Sequence, residues 1–574
     1  MTATVGTPMD FDEILTQIGE FGRYQRRNYL LICLPVLFAA ANSLSYVFTA
    51  GFPTYRCYIP ECDNPQEPQY QTEWLENAVP GTWSKQGHFT AATCDRYVTS
   101  NANISQGDGQ CEESLFTKEV ERCQDYVYGS REQTIVQEWQ LMCPENTWKL
   151  AFVGTIHFAG LVIGTALFGY LADRFGRKHI FLFCIILMSL TGVAQALAWN
   201  YISFLIFALL NAVGTSGVYP LAFIIGVEMV GPRKREMSSI VLNYFYAVGE
   251  ALLGLAIFLP NWKHLQLALS IPPLIFIVYV WLVPESVRWL LARNKHEKAG
   301  EIIKKAAHVN RRELSVELMA SFKQQELESD KDERDTKQQD SQIWLAVKQV
   351  FSSHILLARY SIMLFIWAVN AIVFYGLSLN STNLSGNKYL NFALVCLIEI
   401  PGYTLAWVCL RKFGRRLALS GSLLLCSITC VGSGYITMVQ ADRLPSANWL
   451  IIALFLMGKL GITSSFAVVY TYTAEMMPTV IRSGGVGVMS TFARCGAMLA
   501  PFVPLLGTLY EPLPLLLFGA ISLIAGLLSL LLPETFHKKL PDTVAEAIAL
   551  GHKISVDDEP ICSQNEEHQS QQDT

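Results

Sequence analysis

Twelve long apolar stretches constrain the fold of this 574-residue chain more than any other feature of its sequence. A helix needs about 20 mostly apolar residues to cross a bilayer, and every one of these stretches reaches that length. They cover residues 28–48, 148–170, 179–198, 201–226, 238–259, 264–283, 360–379, 389–410, 417–438, 448–472, 484–508 and 513–532. The sequence therefore predicts an all-α membrane protein with twelve transmembrane helices.

The composition agrees with a membrane protein and excludes several other classes. Charged residues make up only 16% of the chain, against about 25% in an average soluble domain. The net charge of −5 provides no basic field for a phosphate backbone, so no nucleic acid is expected as a partner. The sequence contains no Gly-rich phosphate loop, metal-ligand cluster or nucleophile constellation. We therefore expect no enzymatic activity, no metal and no bound cofactor, with sodium coupling left open.

Basic residues in the short loops predict the orientation, because cytoplasmic loops carry an excess of lysine and arginine. One side of the membrane carries eleven such residues, namely Arg174, Arg177, Lys178, Arg233, Lys234, Arg235, Arg411, Lys412, Arg415, Arg416 and Arg482. The other side carries Lys263, Lys388 and Arg443. The first side is therefore predicted to be cytoplasmic, together with both termini, in a multi-pass plasma-membrane protein.

The longest loop, residues 51–147, is then extracellular. It holds six cysteines, namely Cys57, Cys62, Cys94, Cys111, Cys123 and Cys143. An even set of cysteines in an oxidising compartment predicts three disulfides, with all fifteen connectivities open. A zinc site is the alternative, but the paired C-x₂-C spacing is absent. A glycosylation sequon lies in the same loop at Asn103, and two more, at Asn380 and Asn383, follow the seventh span on the same side.

Three sequence landmarks recur at similar offsets, which indicates an internal duplication. The segment G-Y-L-A-D-R-F-G-R-K at residues 169–178 recurs as W-V-C-L-R-K-F-G-R-R at residues 407–416, 238 positions later. Glu228 after the fourth span corresponds to Glu475 after the tenth, 247 positions later. The dipeptide Pro-Glu at residues 284–285 recurs 249 positions later.

The duplication divides the chain into two six-helix halves. The predicted organisation is a cytoplasmic N-terminus at 1–27, a first half at 28–283, a cytoplasmic linker at 284–359, a second half at 360–533 and a disordered cytoplasmic tail at 534–574. The linker is charged and rich in helix-forming residues, which predicts short amphipathic helices at the membrane surface. A regulatory domain is the alternative.

Two parallel repeats around a central cavity are typical of the major facilitator superfamily, and residues 169–178 resemble its loop motif G-x-L-a-D-r-x-G-r-[rk]. The resemblance implies alternating access. The Asp173 carboxylate would accept hydrogen bonds from backbone N–H groups at the N-terminus of a facing helix. The arginines would clamp the ends of neighbouring helices in only one of the two states of alternating access. The alternative is that the basic residues are positive-inside anchors. The residues to which the resemblance gives a gating role are Asp173, Arg174, Arg177, Glu228, Arg288, Arg415 and Glu475.

Over nearly its whole length the chain also resembles solute carrier family 22, the organic ion transporters. The resemblance rests on the large Cys-rich loop and on W-Q-L-M-C at 139–143, P-E-S-V-R-W-L-L at 284–291 and Y-T-A-E-M-M-P at 472–478. Residues 374–384 and 399–407 look most like the organic cation/carnitine branch. Insect transporters for carcinine, β-alanine and organic cations are similar.

Four ionisable residues lie within predicted spans, namely Glu250, Glu399, Lys459 and Arg494, and His157 is a weaker fifth. Such residues cost at least ~2.5–3.5 kcal/mol at the bilayer centre, so each is a candidate functional residue. The resemblance implies that Glu399 is a counter-charge for a substrate ammonium group. The alternative is a structural partner for Arg494 or Lys459. Glu250 is expected to face the cavity, and Lys459 is expected to tie helices together.

Arg494 departs from the pattern of the cation-only members of the family, which carry Asp at this place in the eleventh span. Anion and carnitine members carry a basic residue there. The predicted pocket, counted over Glu250, Glu399 and Arg494, has a charge of −1. A pocket of this kind suits a zwitterion, or an amine with a weak acceptor, and suits a dianion badly.

Aromatic side chains are expected to complete the pocket, because a ring face attracts an ammonium group. The resemblance assigns cavity-lining positions to Trp367, Phe374, Tyr219, Phe223 and Tyr246. Plain helix packing is the alternative for each of them.

The sequence thus predicts a membrane transporter of small organic cations or zwitterions, such as carnitine-like, carcinine-like or β-alanine-like amines. Two alternatives remain. An organic-anion exchanger is favoured by Arg494 alone, and a non-transporting membrane receptor would use the loop 51–147. The expected partners are the small organic substrate and the lipid bilayer, and the sequence does not predict an oligomeric state.

Overall fold

The structure is a computed structural model that describes residues 11–83, 89–100, 111–313, 335–440, 448–538 and 540–550. The predicted glycosylation site Asn103 and the last part of the predicted tail, residues 551–574, lie outside the described residues.

Within that part of the chain, eleven helices are long and apolar enough to cross a membrane, and a shorter apolar helix of 17 residues makes the twelfth. Spans 1 to 12 are Arg23–Thr49, Pro144–Phe175, Arg177–Ala196, Tyr201–Met229, Pro232–Phe258, Trp262–Leu282, His354–Asn383, Lys388–Lys412, Arg415–Val439, Asn448–Met476, Thr479–Thr508 and Leu513–Ser529. Each coincides with one predicted apolar stretch, so the prediction of twelve spans is confirmed.

The two halves pack in the same way, as the duplication predicts. Span 3 packs against span 4 in the first half, and span 9 packs against span 10 in the second. A glycine allows the close approach in each case. A Cβ atom on Gly214 would lie 2.5 Å from the backbone nitrogen of Met188, and one on Gly461 would lie 2.9 Å from that of Cys426. Small residues of this kind let membrane helices approach backbone to backbone.

The loop between spans 1 and 2 folds into a small disulfide-bonded domain. Its described residues form six strands, β1 to β6, namely Tyr55–Cys57, Gly81–Trp83, Phe89–Ala91, Asp95–Thr99, Phe116–Arg122 and Tyr126–Tyr128. They form three antiparallel pairs, β1 with β6, β2 with β3 and β4 with β5. The disulfides are Cys57–Cys123, Cys62–Cys111 and Cys94–Cys143. The prediction of three disulfides is confirmed, and the connectivity is now defined.

We call the side of the molecule that carries this domain the loop face, and the opposite side the basic face. The domain contacts both halves at the loop face. Gln133 exchanges backbone hydrogen bonds with Pro260 and Trp262 of the first half, at 2.8 and 3.0 Å. Glu132 accepts from the ammonium of Lys388 and from the hydroxyl of Tyr389, both in the second half.

At the basic face, short helices surround the ends of the spans. The linker contributes Val287–Ala292, His296–Asn310 and Asp335–Ser352, and the helix Phe11–Ile18 precedes span 1. Asp12 accepts from Arg235 and from Arg288. Burial acts to raise the pKa of Asp12, but the two guanidinium groups lower it more, so the pKa lies below its ordinary value. Arg288, predicted to take part in gating, therefore joins the N-terminal helix to the linker, and Arg235 joins it to the first half.

Candidate functional site

An ion pair lies in the interior between spans 8 and 10. Oε1 of Glu399 is 2.8 Å from Nζ of Lys459, and both side chains are fully buried. Of the two partners that the sequence left open for Glu399, the structure selects Lys459 and not Arg494. The pair explains how two charged residues persist in apolar helices, because each charge compensates the other.

Lys459 has polar neighbours on span 7 as well as on span 8. Besides Glu399, its ammonium donates to Oγ of Ser378 at 2.8 Å and to the backbone oxygen of Phe374 at 3.1 Å. Its Nζ also lies 3.3 Å from the centre of the Phe374 ring. Two of the three ammonium donors are thus hydrogen-bonded to span 7, and the contact with Glu399 is an ion pair. Lys459 thus joins spans 7, 8 and 10, as expected of a residue that ties helices together.

Glu250 brings a second carboxyl group to the same place from span 5. Its side chain is fully buried, and neither carboxyl oxygen has an N–H or O–H donor among the described residues. Its carboxyl group lies within electrostatic range of Glu399 and of Lys459. We call Glu250, Glu399 and Lys459 the central cluster. It contains two carboxyl groups and one ammonium.

Tyrosines surround the central cluster. Four of them lie within electrostatic range of Glu250, namely Tyr46, Tyr246, Tyr375 and Tyr403. The rings of Tyr246 and Tyr219 meet edge to face at 5.3 Å, and the Tyr219 hydroxyl donates to Oδ1 of Asn243 at 2.5 Å. Two of the predicted aromatic residues, Tyr219 and Tyr246, therefore lie beside the cluster.

The other predicted aromatic residues are placed differently. Trp367 is fully buried, and its indole N–H donates to Oγ1 of Thr473 at 2.9 Å, so in this conformation it packs between spans 7 and 10. Phe374 is 3% exposed and contacts Lys459 rather than open space. Phe223 is 38% exposed. For Trp367 and Phe374 the structure thus favours the packing alternative, because their side chains are enclosed by neighbouring helices.

Arg494 lies on span 11, away from the ion pair. Its guanidinium donates to Oγ of Ser490 at 2.7 Å and to the backbone oxygen of that residue at 3.2 Å. Among the described residues, no carboxylate lies within 4.0 Å of it. Tyr375 lies within electrostatic range of Arg494 as well as of Glu250. The predicted pocket charge of −1 omitted Lys459, and with Lys459 included the four charges cancel.

A cavity opens at the loop face between the two halves and ends at Tyr46. Its wall includes Phe48, Glu132 and Tyr389, and the rings of Phe48 and Tyr389 stack at 5.0 Å. Tyr46 lines this cavity and also lies within electrostatic range of Glu250. His157 of span 2 packs on the Tyr46 ring at 5.8 Å. Tyr46 therefore contacts the cavity on one side and the surroundings of the central cluster on the other.

Equivalent polar clamps hold the helix ends of each half at the basic face. In the first half, Arg177 pairs with Glu228, which also accepts from Ser286. In the second half, Arg415 makes a two-point contact with Glu475, with nitrogen–oxygen distances of 2.7 and 2.8 Å. Oγ1 of Thr535 donates to Glu475 at 2.7 Å. Both clamps join helices within one half, so they make each half rigid.

Two further glutamates accept hydrogen bonds from backbone N–H groups at helix N-termini. The sequence analysis did not identify them as functional residues. Glu285 accepts from the backbone N–H of Lys178 at the start of span 3. Glu534 accepts from four backbone N–H groups, those of Arg415, Arg416, Thr535 and Phe536. Burial acts to raise the pKa of Glu534, but these hydrogen bonds lower it more, so the pKa lies below its ordinary value. The repeated Pro-Glu dipeptide was the signal that could have identified both residues.

The structure differs from the prediction for Asp173 and Arg174. The carboxylate of Asp173 is 78% exposed, and Arg177 at the start of span 3 is 3.9 Å away. Asp173 was expected to accept hydrogen bonds from a helix N-terminus, and in the structure Glu285 does so instead. Arg174 is exposed and contacts Tyr170 and Phe175 of its own helix, so it clamps no neighbouring helix. The backbone oxygen of Asp173, and not its exposed carboxylate, accepts hydrogen bonds from Trp289 and Arg293 of the linker, at 2.8 and 2.9 Å.

Two direct contacts join the halves near the basic face. Arg411 pairs with Glu236 at 2.7 Å, and the hydroxyls of Tyr244 and Thr404 lie 2.6 Å apart. Arg411 occupies the position in the second repeat that Asp173 occupies in the first. The duplicated segment has thus diverged, and in the second half this position contacts the other half.

The chain matches known transporters over most of its length. The profile of the sugar (and other) transporter family matches residues 97–542. The organic cation transporter protein of Drosophila melanogaster is 35% identical over 562 residues, which cover 95% of this chain and 96% of that protein. The human organic cation/carnitine transporter 2 is 32% identical over 551 residues and 94% of each chain.

Solved structures agree with the fold. The xylose transporter XylE from E. coli, in an inward-open conformation, superposes with a TM-score of 0.59 at 15% sequence identity. The superposition covers 92% of this chain and 100% of that protein. The chain therefore has the major facilitator fold, with two six-helix halves on either side of the central cluster.

Proposed function

The chain belongs to the sugar (and other) transporter family and, within it, to the organic cation transporters of solute carrier family 22, and we propose that it carries small organic cations and zwitterions by alternating access. The observation on which this proposal depends is the central cluster. Lys459 pairs with Glu399, and Glu250 has no ion-pair partner among the described residues. A substrate ammonium group beside Glu250 and Glu399 would supply the missing positive charge, and the surrounding tyrosine rings would favour it further.

The proposal extends to zwitterions because of Arg494. Its guanidinium is bound only by Ser490 among the described residues, and its planar donors suit a carboxylate. A substrate with an ammonium at one end and an acceptor at the other would reach from the central cluster toward Arg494. Carnitine-like, carcinine-like and β-alanine-like amines have this shape.

The proposal also covers the membrane in which the protein lies and its orientation there. A plasma-membrane protein with the loop face outside would place its three disulfides in an oxidising compartment. It would also place both termini in the cytoplasm. Substrate would then enter by the cavity that ends at Tyr46.

Uptake by cells that express the protein tests the proposed function. The labelled compounds are carnitine, carcinine, β-alanine, tetraethylammonium and p-aminohippurate, each with and without external sodium. We expect uptake of at least one cation or zwitterion, and no preference for the anion p-aminohippurate. Uptake of p-aminohippurate alone would establish the anion exchanger. Correctly targeted protein that takes up none of the five would contradict the proposal.

Arg494→Asp is expected to separate the two kinds of substrate. The substitution removes the donor for an acceptor end, and desolvated charge-assisted contacts are worth roughly 1.5–3 kcal/mol, or about 10- to 150-fold in affinity. Carnitine and β-alanine should therefore bind at least tenfold more weakly, while tetraethylammonium binds as well or better. The measurement is competition for uptake, normalised to surface protein. An unchanged ratio of cation to zwitterion affinity would remove Arg494 from the substrate site.

Glu132→Gln is expected to change the opening of the loop face. It weakens the contacts with Lys388 and Tyr389, which join the loop domain to the second half. Partly exposed ion pairs are worth about 1 kcal/mol or less, so we expect a change of up to about fivefold in maximal rate. Glu119→Gln on the exposed edge of β5 is the control, because it removes the same charge from the same domain. If both variants behave alike, the contact with the second half does not control opening.

A further inference from the structure

We propose that a cleft at the basic face binds an anion with two or more phosphate groups, of the kind that a phosphoinositide headgroup carries. The cleft lies between the linker and the start of span 1, and none of its residues belongs to the central cluster. The inference therefore goes beyond the proposed function and does not depend on which substrate the protein carries.

Four arginines line this cleft, and two elements of the chain supply two each. Arg23 and Arg26 lie in the first turn of span 1, and Arg311 and Arg312 follow the linker helix His296–Asn310. All four residues are exposed, and none of them forms an ion pair with another described residue. Their charges are therefore free to bind an anion from outside the protein.

The positive charge is not balanced within the cleft. In the described part of its wall Glu20 is the one acidic residue, and its Oε1 already lies 3.7 Å from Nε of Arg233. A concave surface of one sign of charge attracts ions of the opposite sign. Guanidinium groups suit phosphate in particular, because their planar donors can form two parallel hydrogen bonds with its oxygens. A phosphomonoester carries a charge of about −1.5 to −2 at pH 7, so two of them match four arginines.

Asn310 joins the two walls of the cleft. Its Oδ1 accepts from the backbone N–H of Tyr24 at 2.9 Å, and its Nδ2 donates to Oε1 of Gln25 at 2.8 Å and to the backbone oxygen of Ile18 at 3.1 Å. The end of the linker helix is thus fixed against span 1 beside the arginines. The cleft is formed without a ligand, and its volume of about 400 Å³ is in the range of small-molecule sites.

The backbone of Arg311 adds an independent observation. With φ 55° and ψ 47° it is in the left-handed conformation, and it ends the linker helix. The backbone N–H of Arg311 donates to the oxygen of His308 at 3.1 Å, and that of Arg312 donates to the oxygen of Ala307 at 3.0 Å. Glycine is the usual residue in this position, because a side chain is strained there. The chain has an arginine instead, and that arginine lines the cleft.

The cleft lies at the level of the lipid headgroups. The apolar stretch of span 1 begins at residue 28, so Arg23 and Arg26 precede it by five and two residues. At 1.5 Å per residue they lie roughly 3–8 Å outside the apolar stretch, and the headgroup layer on each side of a bilayer is about 5–8 Å thick. Basic clusters directly outside a membrane helix are typical of sites for phosphoinositides. A soluble polyphosphate has the same chemistry, so the experiment includes both sources.

Binding to the purified full-length protein in detergent tests the site, measured by fluorescence anisotropy. The probes are a fluorescent short-chain phosphatidylinositol bisphosphate, fluorescent phosphatidylserine, and soluble inositol trisphosphate as a competitor. We expect saturable binding of the bisphosphate lipid, displacement by the trisphosphate, and at least tenfold weaker binding of phosphatidylserine, whose headgroup has a single net negative charge. A lipid affinity at least tenfold above that of the trisphosphate identifies a membrane lipid as the ligand, and equal affinities identify a soluble anion.

A double variant with a matched control locates the binding. An arginine near anionic headgroups contributes about fivefold to affinity, so Arg23→Gln with Arg311→Gly should bind the bisphosphate lipid about 25-fold more weakly. Arg27→Gln with Lys298→Gln removes the same charge from the same two helices, at exposed residues outside the wall of the cleft. We expect this control to weaken binding by about twofold or less.

Arg311→Gly alone separates binding from stability, because a basic residue at a helix C-terminus also interacts favourably with the helix dipole. Glycine relieves the strained backbone, so the unfolding temperature without ligand should stay the same or rise while affinity falls about fivefold. A lower unfolding temperature with unchanged affinity would remove Arg311 from the site.

Three results would overturn the proposal as a whole. They are no binding of either phosphate compound, equal binding of phosphatidylserine and the bisphosphate lipid, and an equal loss of affinity in the control and the cleft variants. The last result would show a diffuse surface potential instead of a site. None of the three bears on the proposed function, which the uptake experiment tests separately.

Discussion

Lys459→Met is expected to remove most of the protein from the cell surface. The substitution keeps an unbranched side chain of similar length, but it leaves Glu399 and Glu250 without a cation in the membrane interior. Breaking a buried ion pair by removing one partner costs about 3–5 kcal/mol. That is a large fraction of the 5–15 kcal/mol typical of a folded domain. We therefore expect at least a tenfold loss of surface protein, measured by biotinylation, and a lower unfolding temperature in detergent.

A double variant distinguishes the ion pair from a general effect on span 10. Lys459→Met combined with Glu399→Gln removes both charges, so surface expression should recover substantially. Transport should remain absent, because Glu399 is also the proposed counter-charge of the substrate. The ion-pair interpretation fails if Lys459→Met alone reaches the surface at the wild-type level, or if the double variant is no better expressed than the single one.

The transmembrane helices were predictable because each needs only a run of apolar residues. The helices are longer than the predicted spans where polar residues continue them. Span 1 begins at Arg23 and span 10 ends at Met476, whereas the apolar stretches begin at 28 and end at 472. The predictions follow the hydrocarbon core, and hydrogen bonding extends a helix beyond it. No apolar pattern marks that extension.

The members of the central cluster were identifiable one by one, since a charge in an apolar stretch is rare. Their pairing was not. Glu399 had two candidate cations, Lys459 on span 10 and Arg494 on span 11, and only the packing of the helices decides between them. The aromatic residues raise the same difficulty. Span 7 is apolar on every side, so its sequence has no periodicity to show that Trp367 faces span 10 instead of the cavity.

The duplication identified the residues of the polar clamps, but it did not show which helices the clamps join. The repeats correctly align Arg177 and Glu228 with Arg415 and Glu475, and in both halves the structure joins the aligned residues. Both aligned contacts lie within one half. The contacts that cross between the halves include those of Arg411 and Tyr244 near the basic face and that of Glu132 at the loop face. Which repeat residue reaches the other half depends on the direction of its side chain, and a motif does not encode that.

Removing the disulfide Cys94–Cys143 is expected to have the other large effect. This bond ties β4 to the start of span 2 and closes a loop with a sequence separation of 49. In the chain-entropy model, a loop of that length corresponds to about 4 kcal/mol of stabilisation, within the 2–5 kcal/mol lost when native disulfides are removed. We expect Cys94→Ala to lower surface protein several-fold or more, measured by biotinylation. Cys495→Ser, at an exposed free cysteine, is the matched control.

Double variants then test the connectivity, which the sequence left open among fifteen possibilities. If Cys94 and Cys143 are bonded, each single substitution already breaks the bond, so Cys94→Ala with Cys143→Ala should cost no more than either alone. Cys94→Ala with Cys57→Ala breaks two bonds, so it should lower surface protein more than either single substitution. The same experiment reports on orientation. A loop on the reducing side of the membrane would hold no disulfides, and none of these substitutions would then alter surface protein more than Cys495→Ser.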